Sequence, residues 1–145
     1  MPLASPFGLL LVQRDRQRSR AISRALRAHG FDVIAAPSVA MAEVLECGFD
    51  AGIFELELDD GDGFELARQL LASGRVDEIV FFTQDVDGDR SDAMRALGPV
   101  VHHREGVDAL LPVLADLMRA RHLSASAKVP LGDTVPDEVW HWRAG

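Results

Sequence analysis

The chain of 145 residues holds one cysteine, no tyrosine and two tryptophans, and only 6% of it is aromatic. Cys47 alone cannot form an internal disulfide, and no zinc-type spacing of Cys and His surrounds it. A reduced, partly buried thiol is the expectation. No run of about 18 apolar residues occurs, so no membrane span is read. The opening "MPLASPFGLLLVQRDR" lacks the basic start and long apolar stretch of a secretion signal, so a soluble, cytoplasmic chain is expected. Basic residues are outnumbered, 15 Lys and Arg against 23 Asp and Glu, and the net charge of −8 argues against general affinity for nucleic-acid backbones. No Gly-rich phosphate loop follows the first apolar run and no G-x-S-x-G elbow occurs, which leaves no catalytic residue to nominate.

What is present is an alternation. With 48% hydrophobic and 26% charged residues, the chain fits one compact domain with a real core. "GLLLV" (8–12) reads as a strand covered on both faces. Ala21, Ile22, Ala25 and Leu26 then repeat at helical spacing between a capping Asp15 and Gly30. "FDVIAA" is a second strand. A helix opened by Pro37 and Ser38 carries Val39, Ala42, Leu45 and Glu46 and closes at Gly48. "AGIFEL" is a third strand, Phe64 to Leu71 a third helix, and "EIVFFT" a fourth strand. Asp92 to Leu97 forms a brief helix, "VVHH" a fifth strand, and Val107 to Arg121 a final amphipathic helix. Five strands alternating with five helices imply an α/β fold, a doubly wound parallel sheet whose ligands gather at the C-terminal strand ends.

That rim collects Gln13, Arg14 and Asp15, then Glu55 to Asp60, Thr83, and His102 to Arg104. The segment "DAGIFELELDDGDG" (50–63) runs from an apolar strand straight into a knot of acids. Asp62 with Gly63 is turn and capping chemistry, and Asp59 and Asp60 are loop residues read as solvated.

From residue 7 to 121 this order of strand ends resembles the receiver domain of two-component response regulators, a flavodoxin-like (CheY-like) fold with strand order 2-1-3-4-5. "LLLVQRD" stands where that family has a strand ending in paired acids, and "DAGIFELELDDGDGFEL" where it has the phosphoaccepting aspartate. "IVFFT" stands at the switch hydroxyl and "VVHHREGVDALLPVL" at the conserved lysine. The resemblance therefore places Glu55 at the phosphoacceptor, Gln13 and Arg14 at the acid pair with Asp15 beside them, and Thr83 at the switch. His103 or Arg104 falls at the lysine, His103 by spacing and Arg104 by charge. Val100 or Val101 replaces the aromatic toggle of the fifth strand.

These departures bear on chemistry. Phosphoryl transfer relies on positioning and on a divalent ion that neutralises developing charge. A neutral amide at residue 13 and a cation at residue 14 remove two oxygen ligands that Mg²⁺ prefers. Glu55 carries its carboxylate one methylene too far, and about 1 Å of misplacement can cost on the order of a hundredfold in rate. Two readings of Glu55 stand: a fixed salt bridge with Arg14 or Arg104 in place of the ion, or a side chain pointing into water. The function implied is that of a non-enzymatic pseudo-receiver, a bacterial signalling adaptor without an output domain. It needs no cofactor or metal and binds a protein partner through the fourth helix, fifth strand and fifth helix. Neither nucleic acid nor membrane is expected as a partner, and a homodimer is left open. An unorthodox phosphorylatable switch and a small-molecule binder are the alternatives.

Three weaker signals complete the reading. "DVDGDRSD" (85–92) lacks the Gly and Glu of a calcium hand and reads as a solvated turn capping the fourth helix. Arg14, Arg16, Arg18, Arg20, Arg24 and Arg27 read as a solvated basic collar. Residues 122–145 form an extension without periodicity, in which Trp140 and Trp142 either dock on the domain or a partner or belong to a frayed end.

Overall fold

The structure, a computed structural model, describes residues 7–84 and 88–128. The tryptophan-bearing tail and residues 85–87 of the acidic turn lie outside the described residues. Strand β1 (Gly8–Val12) leads to helix α1 (Arg16–Ala28), then β2 (Asp32–Ala36), α2 (Val39–Glu43) and β3 (Phe49–Phe54). Two short strands, β4 (Glu57–Leu58) and β5 (Gly61–Asp62), precede α3 (Gly63–Ala72), β6 (Val76–Thr83), α4 (Ser91–Leu97) and β7 (Val100–His102). Two 3-10 turns, His103–Glu105 and Val107–Ala109, lead into α5 (Leu110–Lys128). The backbone divides into two compact units at residue 111, so most of α5 belongs to the second. No described helix is long and apolar enough to cross a membrane.

The main sheet has the order β2-β1-β3-β6-β7 and every pairing in it is parallel. Counting only these five strands, this is the 2-1-3-4-5 order of the flavodoxin-like fold. Burial explains why β1 lies near the middle. Leu9, Leu10, Leu11 and Val12 are all at most 1% exposed, as a strand sandwiched between two helix layers requires. Because side chains alternate along a strand, Leu10 and Val12 join one core layer with Phe54, Phe64, Phe81 and Met94. Within it the Phe64 and Phe81 rings stack at 6.1 Å. Burying side chains of this size contributes roughly 1.5–3 kcal/mol each.

Helix boundaries follow the caps. Asp15 caps α1 by accepting from the Arg18 N–H at 2.9 Å, and Gly30 supplies the positive φ of +92° just past its end. α2 stops at Glu43, short of the expected Gly48. The Arg75 guanidinium takes the carbonyls of Glu43 (2.9 Å) and Leu45 (3.2 Å), which a longer helix would have used itself. Cys47 therefore sits on an exposed loop, not in the partly buried place expected of it. Arg90 occupies the N-cap position of α4 with no side-chain bond, so among the described residues of the acidic turn none supplies a side-chain cap.

The β4–β5 hairpin is the feature the sequence reading omitted. It pairs Glu57 with Asp62 and Leu58 with Gly61, and returns the chain so closely that a Cβ on Gly63 would lie 1.8 Å from the Glu55 carbonyl oxygen. Backbone cannot yield as a flexible side chain can. Gly63→Ala is therefore expected to destabilise the fold by about 1–3 kcal/mol in urea unfolding, and an unchanged midpoint would contradict the close packing.

Candidate functional site: a buried carboxylate and imidazole at the strand ends

Four polar side chains from the rim are drawn inside. Gln13, directly after β1, is 2% exposed, Glu55, directly after β3, is 7% exposed, and Thr83, the last residue of β6, is 1% exposed. Each is held by the ladder at its back. Gln13 N–H donates to Ala36 O at 3.2 Å, Glu55 N–H donates to Val12 O at 3.0 Å, and Thr83 pairs with His102. The fourth is His103, whose side chain is 8% exposed.

His103 arrives there because the chain bends after β7. His102 Nδ1 accepts the Arg104 N–H at 3.0 Å and Glu105 Oε2 accepts the His102 N–H at 3.3 Å, a reciprocal capping box on a 3-10 turn. The expected fifth strand "VVHH" therefore ends one residue early: His102 caps the turn and His103 starts it. The His103 ring stands edge-on to Phe82 at 4.9 Å. Its Nε2 lies 2.6 Å from Glu55 Oε1 and 2.9 Å from the Phe82 carbonyl oxygen.

One N–H cannot point at two acceptors. With Nε2 donating to the Phe82 carbonyl, which can only accept, Glu55 Oε1 has a close nitrogen neighbour but no directed hydrogen bond, and His103 Nδ1 also lacks a partner. Two adjacent buried polar atoms in this condition are unusual, since such groups cost roughly 1–3 kcal/mol each when unsatisfied.

The remaining rim residues do other work. Arg14 is half exposed and pairs with Asp59 at 3.4 Å, so it does not reach Glu55. Arg104 is exposed and likewise stands apart from the carboxylate. The expected salt bridge to Arg14 or Arg104 is corrected to a close approach to His103, and the alternative of Glu55 in water falls with it, since the residue is 7% exposed. The turn after His102 carries His103 inward, where its ring packs edge-on against Phe82, while Arg104 stays on the exposed side. Asp15 is an exposed helix cap, and the Arg18 N–H above all, with the charges of Arg18 and Arg14, holds its carboxyl below the usual value. Val101 is buried and Val100 half-buried where an aromatic toggle would be.

The acids of the hairpin are structural rather than merely solvated. Asp60 accepts the N–H groups of Val39 (2.8 Å) and Ala40 (2.9 Å) at the start of α2, bonds that lower its pKa, Ala40 first. Asp62 caps α3 through the Phe64 N–H at 3.1 Å and pairs with Arg90. The Arg90 guanidinium also lies over the Phe64 ring, 5.3 Å from its centroid. The signal for the hairpin was the pair of turn-favouring acids, Asp59 and Asp60, between Leu58 and Gly61.

These donors do not suit the dication that the receiver resemblance implies. The Gln13 Oε1 already accepts the Asp15 N–H at 3.1 Å, Arg14 is a cation, and Glu55 faces an imidazole. Among the described residues no group of three or more His, Cys, Asp or Glu is gathered to hold a metal ion. Hard oxygen ligands are what Mg²⁺ requires.

No family model matches the chain. It is 35% identical over 79 residues to the swarming motility regulation protein RssB of Serratia marcescens, a match that spans 53% of this chain and 36% of the length of that protein. A CheY-like response regulator receiver domain protein of Methanospirillum hungatei superposes with a TM-score of 0.73 at 16% identity, covering 83% of this chain and 99% of the other. The response regulator TrrA of Thermotoga maritima, solved in complex with Mg²⁺ and BeF, gives a TM-score of 0.66 at 18% identity over 76% and 97% of the two chains. With its strand order and these neighbours, the chain has the fold of the CheY-like receiver domains of response regulators.

Proposed function

We propose that this receiver-fold domain is a pseudo-receiver, a non-enzymatic binding module of two-component signalling that is held in one state by the Glu55–His103 pair. The observation that carries the reading is the 2.6 Å approach of His103 Nε2 to Glu55 Oε1, with both side chains 8% exposed. Phosphorylation of a carboxylate needs that carboxylate open to the donor, and it needs a cation to balance charge on the transferred group. Here the imidazole occupies the approach to Glu55, and Gln13 and Arg14 replace the acid pair. His103 then supplies in fixed form the partner that an acyl phosphate would gain only transiently. Thr83, buried one strand away, keeps the switch position of the resemblance.

A domain set in this way signals by presenting a surface. The resemblance implies a protein partner docking on the face that includes α4 and β7. That chemistry calls for no cofactor. The phosphorylatable switch is the competing reading, and TrrA, captured with Mg²⁺ and BeF, defines the conditions under which it would show itself.

Removing one member of a buried pair strands the other. His103→Leu is expected to cost about 1–3 kcal/mol, and so is Glu55→Leu, whereas replacing both residues by leucine should cost less than their sum, because no uncompensated polar group remains. Urea unfolding of the two single variants and the double variant measures this coupling, and strictly additive effects would contradict the pair. Incubation with acetyl phosphate and Mg²⁺ followed by Phos-tag electrophoresis is expected to give a single unshifted band. A shifted band that disappears in Glu55→Gln would instead establish the phosphorylatable switch.

A further inference from the structure

The arginines of α1 do not form an even collar. Arg20, Arg24 and Arg27 recur at i, i+4 and i+7, so they share one side of the helix at axial intervals of about 6 and 4.5 Å. With Ser19, Ser23 and Ala35 they line a groove of about 420 Å³ between α1 and the edge strand β2. The groove includes none of the rim residues described above, so it stands independently of the pseudo-receiver reading.

Its electrostatics are one-sided. α1 contains no acidic residue. No arginine of the groove forms an ion pair with a described carboxylate, although the chain as a whole carries a net charge of −8. Arg27 is anchored, its Nη2 donating to Val33 O at 2.7 Å, which ties the helix side of the groove to the strand side. Ser23 lies at the base, 6% exposed, while Arg20 and Arg24 stand exposed at the lip. Three guanidinium groups and two hydroxyls all offer donors, and guanidinium geometry matches phosphate oxygens in paired hydrogen bonds.

We propose that the α1–β2 groove binds a phosphate-bearing small molecule of nucleotide size, held by Arg20, Arg24 and Arg27 with Ser19 and Ser23. The volume lies within the range of small-molecule sites. A duplex nucleic acid is disfavoured, because its extended backbone would also meet the strongly anionic remainder of the chain. An acidic protein segment has the sign but not the tetrahedral, multiply charged head that this donor array fits.

Isothermal calorimetry of the full chain with ATP and, separately, with tripolyphosphate at low and moderate salt tests the assignment. Saturable one-site binding is expected, weakened more than tenfold in Arg20→Gln/Arg24→Gln and unchanged in Arg68→Ala on α3, with circular dichroism showing that both variants fold. Tighter binding of ATP would identify a nucleotide and equal binding a polyphosphate, and either supports the site. Binding of neither probe, equal affinity in the double variant, or tighter binding of polyglutamate or a short DNA duplex would overturn it.

Discussion

A carboxylate and an imidazole buried side by side at the strand ends are the interaction on which the rest of this structure depends. Charge in a weakly polar interior is costly unless a partner stands within contact distance. Glu55 and His103 meet that condition for each other at 2.6 Å. Neither arrives by its own local preference. Glu55 is carried in by the ladder of β3 against β1, and His103 by a 3-10 turn that His102 and Glu105 cap reciprocally. Their closeness is a product of the fold, and in turn it joins the loop after β3 to the loop after β7.

Around this pair the acid-rich loop has been put to mechanical use. Asp59, Asp60 and Asp62 hold, respectively, the start of α1, the start of α2, and the start of α3 together with the approach to α4. The loop is thereby tied to neighbouring elements through its own side chains. Motion of this loop would break a hairpin, two ion pairs and two helix caps.

Much of the fold was legible because it rests on patterns that do not depend on distant residues. "GLLLV" and "IVFFT" announce buried strands whatever they pack against, and Asp15 and Gly30 mark the ends of α1 through local geometry alone. α2 was overestimated because its end is set by Arg75, some thirty residues along the chain. The site was half legible. The strand-end positions of Gln13, Glu55 and Thr83 follow from topology, but the partner of Glu55 does not. By charge Arg104 was the better candidate, and only the turn after His102 shows why the less basic His103 faces inward. The groove on α1 was hidden for a related reason, since arginines spaced two apart look evenly spread until the helix phase selects three of them.

The central claim is that this pocket has exchanged a metal and a phosphoryl group for an internal partner of its carboxylate. Its most direct test is a crystal structure of the chain grown with magnesium and beryllofluoride. The account predicts that His103 remains against Glu55, with neither species bound between Gln13, Arg14 and Glu55. Magnesium and beryllofluoride seated on Glu55, with the His103 ring displaced from Phe82, would contradict it.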